Sequence, residues 1–165
     1  CKSARIWFWY HWYCFSNLLN MNSSYISFAI SPSNVEAPLG AEVWLDQQIV
    51  FNTESLIAAE SIRVDIDDAV EAHHVLKIVL KNKRSEHTVI DADQNIVSDS
   101  LLLLSDFELE GINITQLMFD NAEYSHDFNG NGPATTEKSY GAMGCNGSLT
   151  LKFSTPLYVW LLDKM

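Results

Sequence analysis

Ser61-Ile62-Arg63-Val64-Asp65-Ile66 places Ile62, Val64 and Ile66 on one side of an extended chain and Ser61, Arg63 and Asp65 on the other. A period of two with one apolar and one charged face is the mark of a strand that covers a core and meets water. The same alternation recurs upstream in Tyr25-Ile26-Ser27-Phe28-Ala29-Ile30, which the turn formers Ser31-Pro32-Ser33-Asn34 end. Between the two, Ala41–Leu45 and Gln48–Phe51 flank Asp46-Gln47, a two-residue connection of hairpin length.

Downstream, His74–Lys81 reads as a strand, and Glu86–Ile90 with Asn95–Val97 brackets Asp91-Ala92-Asp93-Gln94 as a second hairpin. Leu101–Leu104, Phe107–Leu109, Glu123–Phe128 and Ser148–Phe153 are further short strands, and Ile114–Phe119 is expected to form a helical turn. Thr155-Pro156-Leu157-Tyr158-Val159-Trp160-Leu161-Leu162 fits a helix with Thr155 as cap and Pro156 in its first position, or a final strand. Many short strands with turn clusters between them predict an all-β fold: an antiparallel β-sandwich of the jelly-roll kind, with room for a short C-terminal helix. Trp44 and Trp160 lie inside apolar runs and are expected in the core.

The chain has 165 residues, enough for one domain with a real core. Residues 1–20 hold Trp7, Trp9 and Trp12 among other aromatics, with no strand alternation and no charge pattern. They read as an upstream extension that is not native, which leaves residues 21–165 as a single sandwich domain starting at Met21. The segment does not read as a recognisable secretion signal.

Asp and Glu number 21 against 10 Lys and Arg, a formal charge of -11. Such a surface repels phosphate backbones and anionic lipid, so neither nucleic acid nor membrane is an expected partner. The cysteines are Cys1, Cys14 and Cys145, which draw no disulfide framework, and Cys145 is expected to be a free thiol.

Five of the seven glycines fall between Gly130 and Gly147, where the chain departs from plain scaffold. Asp127-Phe128-Asn129-Gly130-Asn131-Gly132 has the opening of a calcium loop, with oxygens of Asp127, Asn129 and Asn131 at alternate positions. The bidentate carboxylate due six residues after the glycine is missing, because that position is Lys138 and Glu137 falls one residue short. A tight turn with weak calcium binding at most is therefore expected, and no other cofactor. The histidines are expected at surfaces and turns, with no zinc spacing among them. No nucleophile elbow and no phosphate loop occurs, so the chain is not expected to be an enzyme.

Tyr124, Tyr140, Asn129 and Asn146 lie in or beside the glycine-rich stretch. Aromatic rings that stack on sugar faces, beside amides that take the hydroxyls, make these four the candidate ligand-binding residues for a glycan.

The stretches Glu86-His87-Thr88, Asp127–Gly130, Tyr140–Gly147 and Pro156–Leu162 resemble small β-sandwich proteins of tailed phages of marine cyanobacteria and their ocean-metagenome relatives. That resemblance spans Met21 to Met165 and implies a place in a virion or in the cytoplasm of an infected cell. A looser likeness around Glu42-Val43-Trp44-Leu45-Asp46 is to calcium-dependent xylan-binding modules. Together they imply a non-enzymatic binding protein, with a glycan or a virion protein as partner. The alternative is a structural accessory or assembly protein whose glycine-rich loop is a protein interface.

Overall fold

The computed structural model describes residues 23–165, and the expected extension at residues 1–20 lies outside them. The chain forms an antiparallel β-sandwich. Its first sheet contains β1 (Ser23–Pro32), β4 (Glu60–Asp67), β8 (Leu102–Leu109), β9 (Ile112–Asn113) and β12 (Ala142–Met143). These follow the order β12-β8-β1-β4, with β9 paired to β8. The second sheet contains β2 (Leu39–Leu45), β3 (Gln48–Leu56), β5 (His73–Lys81), β10 (Glu123–His126), β11 (Thr135–Glu137) and β13 (Gly147–Ser154). Its order is β11-β10-β13-β5-β2-β3. A separate two-stranded ribbon joins β6 (Thr88–Ile90) to β7 (Ile96–Asp99).

The alternation in β1 and β4 does what the sequence predicts. Ile26, Phe28 and Ile30 of β1 face inward beside Ile62, Val64 and Ile66 of β4, in a register that pairs Phe28 with Ile62 and Ile26 with Val64. Against them the second sheet sets Val43, Ile78 and Leu149. Burying each such side chain contributes about 1.5–3 kcal/mol before the entropic cost of ordering it. Phe28 and Phe107 stack at 4.8 Å in the middle of the layer.

Several boundaries differ from the sequence expectation. Leu102–Leu104 and Phe107–Leu109 belong to one strand, β8, which begins one residue after Leu101; in it Asp106 takes a φ of 55° and the pairing with β1 shifts register between Ser27 and Ala29. Glu86 and His87 lie in a 3-10 turn, Ser85–His87, that enters β6. The Asp46-Gln47 turn is a hairpin as expected, with Leu45 paired to Gln48. Asp46 tolerates its φ of 55° there, and its carboxylate accepts the Val75 N–H at 2.8 Å and contacts His74 Nδ1 at 2.9 Å. Trp44 is not in the core. It sits half-buried on the outer face of the second sheet, its indole N–H donating to Glu42 at 2.8 Å.

The helical turn after β9 is α1 (Thr115–Asn121), and the C-terminal segment is α2 (Leu157–Lys164). Leu157, Trp160 and Leu161 form its buried face, and Trp160 meets Phe153 edge-on at 6.0 Å. The expected cap is corrected: the Thr155 hydroxyl donates to the Val70 carbonyl and accepts the Ala72 N–H. Pro156 holds the cap position, and the carboxylate of Asp68, distant in sequence, accepts the Leu157 N–H at 2.6 Å. Among the described residues no helix is long and apolar enough to cross a membrane.

Candidate functional site

The glycine-rich stretch begins where β10 ends. Phe128, Asn129 and Gly130 follow one another with φ of 54°, 58° and 81°, so the chain makes a short left-handed turn. For each non-glycine residue this costs about 1–2 kcal/mol, and local bonds offset it. The Asp127 carbonyl accepts from Gly130 and Gly132, and the Asp127 carboxylate accepts the Gly130 N–H at 2.9 Å. Further on, Gly147 opens β13 so close to β10 that a Cβ there would lie 2.2 Å from the Ser125 carbonyl oxygen. Only glycine lets the two strands meet at that point.

Lys83 anchors the opposite wall. Its side chain is 1% exposed, and its ammonium donates to Asp99 Oδ1 at 2.5 Å and to the Ser100 carbonyl at 2.8 Å. The Thr88 hydroxyl donates to the same Asp99 oxygen at 2.7 Å. A buried ammonium persists only when paired and hydrogen-bonded in this way.

Asn146 joins the two walls. Its Oδ1 accepts the Lys83 N–H at 2.9 Å and its Nδ2 donates to the Lys83 carbonyl at 2.8 Å, while its own backbone N–H donates to Asn129 Oδ1 at 2.7 Å. Between the walls lies a half-open cleft of about 530 Å³. Lys83, Arg84, Ser85, Thr88 and Ile90 line one side, and Asn129 and Asn131 the other.

The candidate ligand residues do not converge as the sequence suggests. Tyr124 is 4% exposed, and its hydroxyl donates to the Cys145 carbonyl while accepting the Cys145 N–H, so it offers no ring face to a ligand. Burial pushes its phenol up to about 12, against the lowering effect of the Cys145 backbone. Tyr140 is 75% exposed but does not line the cleft, and its neighbour Gly141 packs against Phe119 and the Leu104 carbonyl. Asn146 has both ends of its amide committed to Lys83. Of the four, Asn129 alone faces the cleft, with its Nδ2 free of partners among the described residues.

The weak calcium candidates Asp127, Asn129 and Asn131 lie together in this turn. Asp127 Oδ1 takes the Gly130 N–H, Asn129 Oδ1 takes the Asn146 N–H, and Asn131 turns its Nδ2 to the Phe128 carbonyl. Each side chain makes a bond to backbone, which leaves Asp127 Oδ2 and Asn131 Oδ1 without a partner among the described residues. Among the described residues no group of three or more His, Cys, Asp or Glu is placed to hold a metal.

His126 and His87 are buried, contrary to expectation. His126 Nε2 meets Glu137 Oε1 at 3.1 Å, and its Nδ1 accepts the Phe128 N–H at 3.3 Å. These bonds place the ring proton on Nε2 and tie the base of the turn to β11. Among the described residues Cys145 has no disulfide partner; it is half-buried, and burial raises its thiol above the usual range.

Sequence reading missed the Lys83 to Ile90 wall. A signal was present: Lys81, Lys83 and Arg84 place three of the ten basic residues within four positions of an acidic chain.

No protein-family profile and no curated protein matches the chain. Two solved structures are similar to it. One is a selenomethionine form of vCBM60, described in the context of a circular permutation linking two families of calcium-dependent carbohydrate binding modules. It has a TM-score of 0.47 at 8% identity, over 78% of this chain and 89% of that one. The other is vCBM60 in complex with galactobiose, with a TM-score of 0.46 at 10% identity, over 77% of this chain and 96% of that one.

Proposed function

We propose that this domain is a non-catalytic binding module that takes a glycan in the cleft between the Lys83–Ile90 wall and the Asn129–Asn131 turn. One observation carries the reading: Ser85, Thr88, Asn129 and Asn131, which bear hydroxyls and amides, line one concave surface whose walls Asn146 locks together. Such groups match the alternating donors and acceptors of a polyhydroxylated ligand, and a locked wall loses little entropy on binding. Ile90 supplies an apolar contact for the face of a sugar ring. The lining residues include no Asp, Glu, His or Cys, so proton transfer or nucleophilic attack has no side chain of those kinds to use there. The Tyr124 and Tyr140 platform is not part of this proposal.

A glycan-array screen followed by calorimetric titration tests it. Binding that is lost on Asn131→Ala, with unfolding unchanged, supports the cleft. Binding that survives both Asn131→Ala and Asn129→Ala would place the ligand elsewhere.

The second reading, a structural accessory or assembly protein of a virion, is favoured by the β6–β7 ribbon. Val89, Ile90, Ile96 and Val97 are all exposed on it, an aliphatic surface of the kind that protein partners cover. Co-purification with virions and loss of assembly on Ile96→Asp would support it, as would the resemblance to phage proteins that the sequence carries.

A further inference from the structure

The chain carries 21 acidic residues, yet no carboxylate lines the cleft, while two of the ten basic residues do. The Lys83 ammonium is buried and spent on Asp99, so Arg84 is the cation left to a ligand, and the hydrogen-bonding inventory around it leans toward donors.

Internal bonds already use part of that inventory. Asn129 spends its oxygen on the Asn146 N–H and keeps its amide N–H₂. Thr88 spends its hydroxyl proton on Asp99. Arg84 pairs through Nε with Glu86 at 2.9 Å, which leaves its two terminal nitrogens free of partners among the described residues. Asn131 keeps an oxygen, since its Nδ2 goes to the Phe128 carbonyl. What remains is mainly donors, four N–H of them on one planar guanidinium. A planar donor fork beside an amide N–H₂ is matched by a carboxylate.

Building on the glycan reading above, we propose that the ligand is an acidic glycan, a polysaccharide bearing uronate carboxylates, and that Arg84 pairs with the carboxylate while Asn129 donates to it. The chain's net charge of -11 does not prevent this. Repulsion from charges beyond about 8 Å is largely screened at physiological ionic strength, whereas the contacts in the cleft are direct. Arg84 is well exposed, so its substitution leaves the fold in place and isolates the recognition step.

The test is calorimetric titration of the full chain with oligogalacturonate, oligoalginate and methyl-esterified oligogalacturonate, repeated on Arg84→Gln and Arg84→Lys, with thermal unfolding as the folding control. The expected result is that at least one uronate oligomer binds about tenfold more tightly than the esterified form, the factor one charge-assisted pair supplies. Arg84→Gln should remove that preference by lowering the affinity for the acid far more than for the ester, and Arg84→Lys should keep part of it. Equal affinity for acid and ester, binding of a neutral array glycan with no uronate binding, or a preference that survives Arg84→Gln would overturn the uronate assignment and leave the glycan reading standing. If neither these oligomers nor any array glycan binds, the glycan reading itself fails.

Discussion

The side-chain amide of Asn146 closes on the backbone of Lys83 as a second strand would, accepting its N–H at 2.9 Å and donating to its carbonyl at 2.8 Å. The pair sits where β5 has ended and β13 has not begun, so one side chain continues the ladder across a gap in it. Lys83 cannot move away, because its ammonium is held by Asp99 and the Ser100 carbonyl on the inner side.

Asn146→Ala should therefore leave two backbone groups of Lys83 without partners, at a cost of about 2 kcal/mol or more. Urea unfolding measures it. Asn146→Asp keeps the acceptor but sets a carboxylate against the Lys83 carbonyl, and is expected to cost at least as much. A loss under about 0.5 kcal/mol for both variants, the range of ordinary surface changes, would show that the bridge is not structural.

Tyr124 makes a spectroscopic prediction. Its folded phenol ionises near 12, above the ordinary value of about 10. Burial is the main cause. The unfolded chain therefore releases this proton first as pH rises, and the contribution of Tyr124 to stability is full below pH 10 and lost between 10 and about 12. Tyr124→Phe should flatten that alkaline loss, read as unfolding midpoint against pH. The same variant removes the hydroxyl from Cys145 and should lower stability at neutral pH by about 1–3 kcal/mol.

On the outer face of the second sheet, hydrogen bonds from Lys81 and then from Trp44 hold the Glu42 carboxyl below its usual range. A depressed carboxyl contributes stability that is present above the unfolded value, about 4.3, and that disappears as pH falls through the lower folded value. Lys81 titrates in the opposite sense. Its ammonium is raised by hydrogen bonds to Glu54 and Glu42, so its share is lost only as pH rises past the ordinary lysine range. Lys81→Met should weaken both dependences, acid and alkaline. Acid unfolding that is identical in the variant would show that the network is electrostatically silent.

Calcium should bind weakly at the Asp127 turn, since its three side chains already serve the backbone. Calorimetric titration is expected to show no affinity tighter than micromolar, and Asp127→Ala should destabilise the turn equally with and without calcium. A calcium-dependent rise in unfolding temperature that Asp127→Ala removes would restore the cation reading.

The sandwich was legible because alternation is a local property. Once Ile62, Val64 and Ile66 must share one face, β4 can do little but cover a core, and the same holds for β1 and β13. The C-terminal segment was not legible, since an apolar run fits helix or strand until something packs against it. Asp68 at its first turn and Phe153 under Trp160 decide for the helix, and both are supplied by other parts of the chain. The glycine cluster was correctly singled out as a place where backbone is bent, for Gly130 needs its positive φ and Gly147 its close approach. Which side chains face a ligand was beyond the sequence. Tyr124 and Tyr140 look alike as residues beside glycines, and only the register of β10 against β13 buries one while the loop before β12 exposes the other. The cleft itself exists because residues 83–90 and 129–131, far apart along the chain, are drawn together by Asn146, and no local pattern records a contact that long-range packing creates.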